Sequence, residues 1–248
     1  MSETREARAN ATEIKFLLDT TMGAAVREWA RDHLKADPYG GGPFGDEYHT
    51  SSLYFDNEDL DVFHRRGSNG RAKYRIRRYA GADYVFIERK MRRPNLLVKR
   101  RTQVDLDVVT AIERGHVKRD SPVWWFYERI TVRRLKPSCL LSYGRTARGI
   151  ATPAGLARLT LDEGVRVAPA DGFSLPNLGM DGTEVLTGNV ILELKYRGEL
   201  PEIFRALVRT FNLRRQSASK YRLGMSALGH AVGADESGDL AAANVGDQ

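Results

Sequence analysis

The sequence predicts an α+β protein: an antiparallel eight-stranded β-barrel with a charged interior and helices packed outside. Three observations lead there. First, residues 71–101 hold twelve Lys or Arg in 31 positions, and these charges alternate with apolar residues. Lys73, Arg75 and Arg77 share one parity and Tyr74 and Ile76 the other; Glu88 and Lys90 oppose Val85 and Ile87; Lys99 and Arg101 oppose Val98. A period of two belongs to strands, whose successive side chains point to opposite faces. Second, other strands repeat the pattern. Over 190–196, Val190, Leu192, Leu194 and Tyr196 form an apolar face, with Ile191, Glu193 and Lys195 behind it. On one strand such a charged face ordinarily meets solvent. When six or seven strands share it and their apolar faces pack under helices, the charged faces look at each other, as in a closed antiparallel barrel. Third, the strands follow one another through hairpins and short helices, which favours antiparallel pairing.

The elements justify themselves in chain order. Residues 1–11 are polar and read as a flexible arm, and 13–17 as the first strand. From 20 to 34 the spacing of Met22, Val26, Trp29, Ala30 and Leu34 is helical, with Thr20 or Thr21 as cap. Residues 37–43 are a loop by their Pro and Gly content. A strand over 48–55 leads to Asp56 or Asn57, expected to cap a short helix through Phe63. Gly67 to Gly70 turn the chain into the basic strands, and 81–83 form the hairpin between the first two. Residues 91–97, with Arg92, Arg93 and Pro94, are expected to be a loop before a strand from 98 to 106. Helices are expected over 107–116 and 122–134. Strands follow over 137–145 and 156–167, a loop over 169–188, a strand over 190–196, and helices over 201–212 and 217–230. Residues 12–232 read as a single domain and 233–248 as a disordered acidic tail.

Charge bounds the partner. The tail holds four acids and no base, so residues 1–232 carry 39 basic against 28 acidic residues. An excess of this size calls for a polyanion. A lone cysteine, Cys139, excludes an internal disulfide and a thiolate cluster, and the five histidines show no metal-ligand spacing. The N-terminus lacks the apolar region of a signal peptide, and no run approaches the roughly 20 apolar residues of a membrane helix. A soluble cytoplasmic protein is expected. Nucleic acid is disfavoured, because the aromatics are not interleaved as an exposed stacking platform; Tyr74 and Phe86 are expected to pack, Phe86 on the parity of Glu88 and Lys90. Trp124 to Tyr127 read as core and helix surface, and Gly40 to Gly42 lack the continuation of a P-loop.

The barrel interior would collect Lys15, Arg75, Arg77, Lys90, Lys99, Arg145, Arg158 and Lys195 as cations, and Glu13, Glu88, Asp162 and Glu193 as acids. Arg in particular holds phosphoryl oxygens bidentately. The acids can hold a divalent cation or orient a lysine. Phosphoryl transfer needs mainly positioning and charge stabilisation, and this set offers both.

The ordered segments Glu13-Ile14-Lys15-Phe16, Ser52 to Asn57, Tyr74 to Arg77, Ile87 to Lys90, Val98-Lys99, Tyr143 to Thr146, Arg158 to Asp162, Leu192 to Lys195 and Ser219-Lys220-Tyr221 together resemble the vacuolar transporter chaperone (VTC) domain. That domain is the polyphosphate polymerase branch of the triphosphate tunnel (CYTH-like) metalloenzymes. The resemblance covers about residues 12–228. It implies an eight-stranded tunnel that takes ATP and inorganic polyphosphate with Mn²⁺ or Mg²⁺. In it Arg75, Arg77, Lys90, Arg145 and Lys195 would act on the transferred group. Lys15, Lys99, Arg158 and Lys220 would bind phosphate, and Glu193, with Glu13, Glu88 or Asp162 in support, would hold the metal. Lys220 opens a helix, where backbone N–H groups favour an anion. Yeast-type relatives sit in a membrane complex with further domains; this chain resembles the stand-alone bacterial form. Two alternatives remain. One is hydrolysis of tripolyphosphate or nucleoside triphosphate, whose relatives resemble a Glu-x-Glu first strand where this chain has Ala11 before Glu13. The other is non-catalytic polyphosphate binding.

Overall fold

The computed structural model describes residues 11–93, 96–176, 181–216 and 218–231. The expected tail lies outside them, as does the expected arm except Ala11, which opens the first strand. Eight long strands form one antiparallel sheet: β1 (Ala11–Asp19), β3 (Glu47–Asp56), β4 (Ala72–Tyr79), β5 (Tyr84–Arg93), β6 (Leu96–Asp105), β7 (Lys136–Thr152), β8 (Gly155–Pro169) and β10 (Asn189–Arg197). Their order is β1-β10-β8-β7-β3-β4-β5-β6; the short β2 (Lys35–Ala36) pairs with β7 and β9 (Thr183–Glu184) with β8. The path ends at β1 and β6, and no ladder joins those two among the described residues. The barrel is therefore a curled sheet with a seam.

The outer face is apolar and carries four helices. Under α1 (Thr20–His33) and α4 (Glu202–Thr210), Phe16, Leu159, Leu161, Leu192 and Leu194 pack against Val26, Ala30, Phe204 and Leu207. Under α2 (Leu106–Glu113) and α3 (Trp124–Val132), Phe55, Tyr74, Ile76 and Ile87 meet Ile112, Trp125 and Phe126. These residues are the apolar parities of their strands, so burial fixes which way each strand faces.

A fifth helix, α5 (Lys220–Ala227), lies on the inner face. Its Tyr221, Leu223 and Met225 share a buried cluster with Tyr54, Leu141, Tyr143, Val167 and Ile191, all on the inward parity of their strands. The approach is close: a Cβ on Gly224 would stand 3.0 Å from side-chain carbons of Leu141 and Val167. Half of the interior is thus apolar and filled, and the charged half lies beyond the N-terminus of α5.

Local details correct four expectations. Residues 57–63 form turns rather than a helix, because the buried Asp56 carboxylate accepts from the N–H groups of Asn57, Val62 and Phe63 and from the Tyr221 hydroxyl. That local network competes with helical bonding. The expected loop at 91–97 is mostly ladder: Arg92 and Arg93 pair with Leu97 and Leu96. The cap of α1 is Asp19, whose Oδ1 accepts from Met22 N–H at 2.7 Å. The strand expected over 137–145 runs on to Thr152 as β7, whereas Phe86 keeps its expected parity and packs inward beneath the Arg101 guanidinium, 3.3 Å from its ring centre.

Candidate active site

Cross-strand register builds the site. Opposed residues share a face. Starting from Arg75 and Arg77, the register passes inward parity to Tyr54 and Ser52, then to Leu141 and Cys139, and across β7 to β8, where Arg145 opposes Asp162. From β8 it passes to Glu193 and Lys195, and from those to Lys15 and Glu13. In the other direction it passes to Glu88 and Lys90, then Arg101 and Lys99. Every strand residue expected inside the barrel stands on this one face. Lys220 reaches it from α5, its Nζ 2.5 Å from Asp162.

Three clusters organise the charges. Glu88, 2 % exposed, lies between Arg75 at 2.6 Å, Lys99 at 2.8 Å and Arg101 at 3.2 Å. Burial would raise its pKa, but Arg75, Lys99, Arg77 and Arg101 hold it well below the usual carboxylate range. Asp162 is fully buried between Arg145 and Lys220; burial opposes its charge and those two cations outweigh it, lowering its pKa. The third cluster centres on a lysine. Lys15 lies 3.4 Å from Glu13 and 3.5 Å from Glu193, and these acids overcome burial and raise its pKa. Glu13, on β1, is also held by Lys90 of β5 at 3.0 Å, a pair that links the first strand to the next-to-last strand of the sheet path.

Arg77, 5 % exposed, has hydroxyl partners: Nε donates to Ser52 at 3.1 Å and a terminal nitrogen to Tyr143 at 2.9 Å. Tyr54 likewise accepts from Arg75 at 3.0 Å. Arg158 lies nearer the far end, bound to Tyr48 and to Asp37. Lys195 stands on the inner face opposite Glu13 and Arg158.

Lys73 and Arg101 belong to the site but not to the set expected from sequence. The signal was there, since they share parity with Arg75 and with Lys99. With them, eleven basic side chains of the described residues stand on this face or reach it from α5, with Glu13, Glu88, Asp162 and Glu193, and Arg222 of α5 is buried nearby. The excess shows in the lysines. Burial, then Lys15 and Lys90, push the Lys73 pKa down to about 7. Burial lowers that of Lys99 to about 8, with Arg101 and Arg75 adding to it and Glu88 only partly offsetting it. Tyr79 responds in the same sense: burial would raise it, and Arg77 and Arg101 bring it down to about 7. An arriving polyanion relieves all three.

A resident metal cage is not formed: no three His, Cys, Asp or Glu side chains converge among the described residues. Glu88 and Asp162 are engaged by cations. Glu193, 19 % exposed, pairs with Lys15 at 3.5 Å, a longer contact than those that hold Glu88 and Asp162. One carboxylate plus substrate phosphates is a common way to hold Mg²⁺, so the donor set fits a divalent ion that arrives with its phosphates. Arg92 and Arg93 continue β5, and no helix of the described residues is long and apolar enough to cross a membrane.

Comparison with known proteins gives one family. The model of the VTC domain matches residues 10–229. Among solved structures, a putative adenylate cyclase from Bacillus halodurans is similar at 16 % identity and a TM-score of 0.49, covering 82 % of this chain and 90 % of that one. A putative adenylyl cyclase from Hippeastrum, described as revealing a dominant triphosphatase activity, is similar at 13 % identity and a TM-score of 0.48, with 92 % and 99 % covered. No curated protein matches.

Proposed function

The chain belongs to the VTC domain family, and from that premise we propose that it is an ATP-dependent polyphosphate polymerase, with residues 12–232 acting as one unit. The observation that carries the reading is the lumen itself. Among the described residues its cations far outnumber its carboxylates, Glu88 and Asp162 are saturated by cations, and no histidine stands on the inner face to serve as a base. For chain extension such a site has only to stabilise phosphate charge.

In this reading the γ-phosphate of ATP lies among Arg75, Arg77, Lys90 and Arg145, with Lys195 beside it. Lys15, Lys99, Arg158 and Lys220 hold the remaining phosphates and the growing chain. An oxygen of the chain's terminal phosphate attacks the γ-phosphorus, the bond to the bridging β–γ oxygen breaks, and ADP leaves with its electron pair. The attacking oxygen is already ionised at neutral pH, so no general base is required. The cations relieve the repulsion between two polyanions and stabilise charge on the equatorial oxygens. Glu193 would hold Mn²⁺ or Mg²⁺, which when bound neutralises phosphate charge. Position 11, in register with Glu13 on β1, is alanine, so that strand brings one carboxylate inward rather than the pair typical of hydrolytic relatives.

The test is to incubate the protein with ATP and Mn²⁺ and to assay ADP, free phosphate and acid-labile chains. Long chains with ADP, lost in Arg75→Ala and Glu193→Ala, are expected. ADP with stoichiometric free phosphate and no chains would replace the polymerase with a hydrolase. Tight, salt-sensitive polyphosphate binding without either product would leave a binding module.

A further inference from the structure

Lys73 and Ser219 form a pair that chain extension leaves unused. Lys73 Nζ lies 2.7 Å from Ser219 Oγ. Ser219 caps α5, its Oγ accepting from Arg222 N–H at 3.5 Å. Both neighbours of Ser219 touch the lumen: Lys15 donates to the Ala218 carbonyl at 3.3 Å, and Lys220 pairs with Asp162. The charged groups that act on Lys73 are Lys15 of β1, Lys90 of β5, Arg65 of the turn before β4 and Arg222 of α5, all cations, and the Tyr221 ring lies 6.0 Å away. With burial they bring its pKa down to about 7, so in the free protein about half of the amine is unprotonated at pH 7. An amine in that state accepts a proton, and a hydroxyl within hydrogen-bond reach of such a base is an activated nucleophile.

We propose that Ser219 is a phosphoryl acceptor. Its Oγ attacks the γ-phosphorus of ATP, the fraction of Lys73 that stays unprotonated with ATP bound takes the hydroxyl proton, and ADP leaves with the electron pair of the bond to the bridging β–γ oxygen. The phosphoserine is the first unit of a chain anchored to the protein. The inference rests on ATP being the phosphoryl donor. The new phosphate lies at the α5 N-terminus, where N–H groups and the dipole favour an anion, beside Lys73, now a cation, and near Lys15 and Lys220.

The experiment is intact-mass and peptide analysis of the full chain after incubation with ATP and Mn²⁺ and brief acid treatment, which removes phosphoanhydrides and spares a serine ester. One phosphoryl group on Ser219 is expected. It should be absent from Ser219→Ala and present in Ser219→Thr, which keeps a hydroxyl. In Lys73→Met, labelling at pH 7 should slow by about 10²-fold, the usual scale of lost base catalysis. Long chains without protein-bound phosphate overturn the inference and leave the polymerase standing. Phosphoserine without long chains supports the inference and overturns the polymerase. Neither product overturns both, and equal labelling of Ser219→Ala places the acceptor elsewhere and overturns the inference alone.

Discussion

Glu88 and Lys15 stand on different walls of the lumen with inverted surroundings. Glu88, on β5, is one acid among Arg75, Lys99 and Arg101. Lys15, on β1, is one cation between Glu13 and Glu193. The first cluster is net positive even with its acid ionised, so its charge suits a phosphate, and its carboxylate is a spacer that keeps three cations together. The second is net negative before Lys90 is added, and one of its acids, Glu193, is loosely held. That wall suits a metal ion. The same Glu-x-Lys pattern on two strands thus does opposite work, decided by what the neighbouring strands place opposite it.

The comparison can be broken most forcefully at Glu88. Glu88→Ala leaves three clustered cations without their acid, and removing one partner of a buried ion pair costs about 3–5 kcal/mol. Denaturant unfolding should show a loss of that order, and added polyphosphate should restore part of it by occupying the same cations. Arg77→Ala comes next. Arg77 has hydroxyl partners rather than a carboxylate, so the change should spare the fold yet lower kcat by about 10²–10³, as removal of one charge-stabilising donor does. Glu193→Gln sharpens the contrast with Glu88. It should leave unfolding and polyphosphate binding near wild type while raising the Mn²⁺ concentration for half-maximal activity by about 10–100-fold. If Glu193→Gln destabilised the protein as Glu88→Ala does, the two walls would not differ in kind.

The smallest effect is the pH dependence. In the free protein Lys73 and Lys99 lose their protons as pH rises through about 7 and about 8. A bound polyanion raises both pKa values, so binding takes up protons above pH 7 and weakens toward pH 9, by at most about tenfold per pH unit per lysine. Calorimetry in buffers of different ionisation enthalpy measures that uptake. The stability of the free protein moves the other way. The unfolded chain keeps these lysines protonated to the ordinary lysine range, so the folded state gains stability as pH rises from about 7 toward it.

The strand half of this site was legible because side-chain alternation is rigid: once one face of a strand must be buried, the other is assigned, and Lys15, Arg75, Arg77, Lys90, Lys99, Arg145, Arg158 and Lys195 follow. Lys73 and Arg101 obeyed the same rule and could have been named by it. The helical contributions were not legible in this way. An amphipathic pattern says that α5 buries one side, not which face of the sheet it buries it against, so Lys220 came only through resemblance and Ser219 not at all. Nor did any pattern show that Asp56 would gather three backbone N–H groups and hold 57–63 out of a helix. That outcome depends on Tyr221, 165 residues away, reaching the same carboxylate.

The seam between β1 and β6 bears on how the molecule can flex. A fully hydrogen-bonded ring changes girth only by breaking a ladder of backbone bonds. Here an ion pair ties Glu13 of β1 to Lys90 of β5, one strand in from the other edge, and the edge of β1 is covered where Gln216 N–H donates to the Lys15 carbonyl. A partly exposed ion pair is worth up to about 1 kcal/mol and is screened by salt. The bore is a split collar with an ionic clasp, whose girth can change without breaking a backbone ladder.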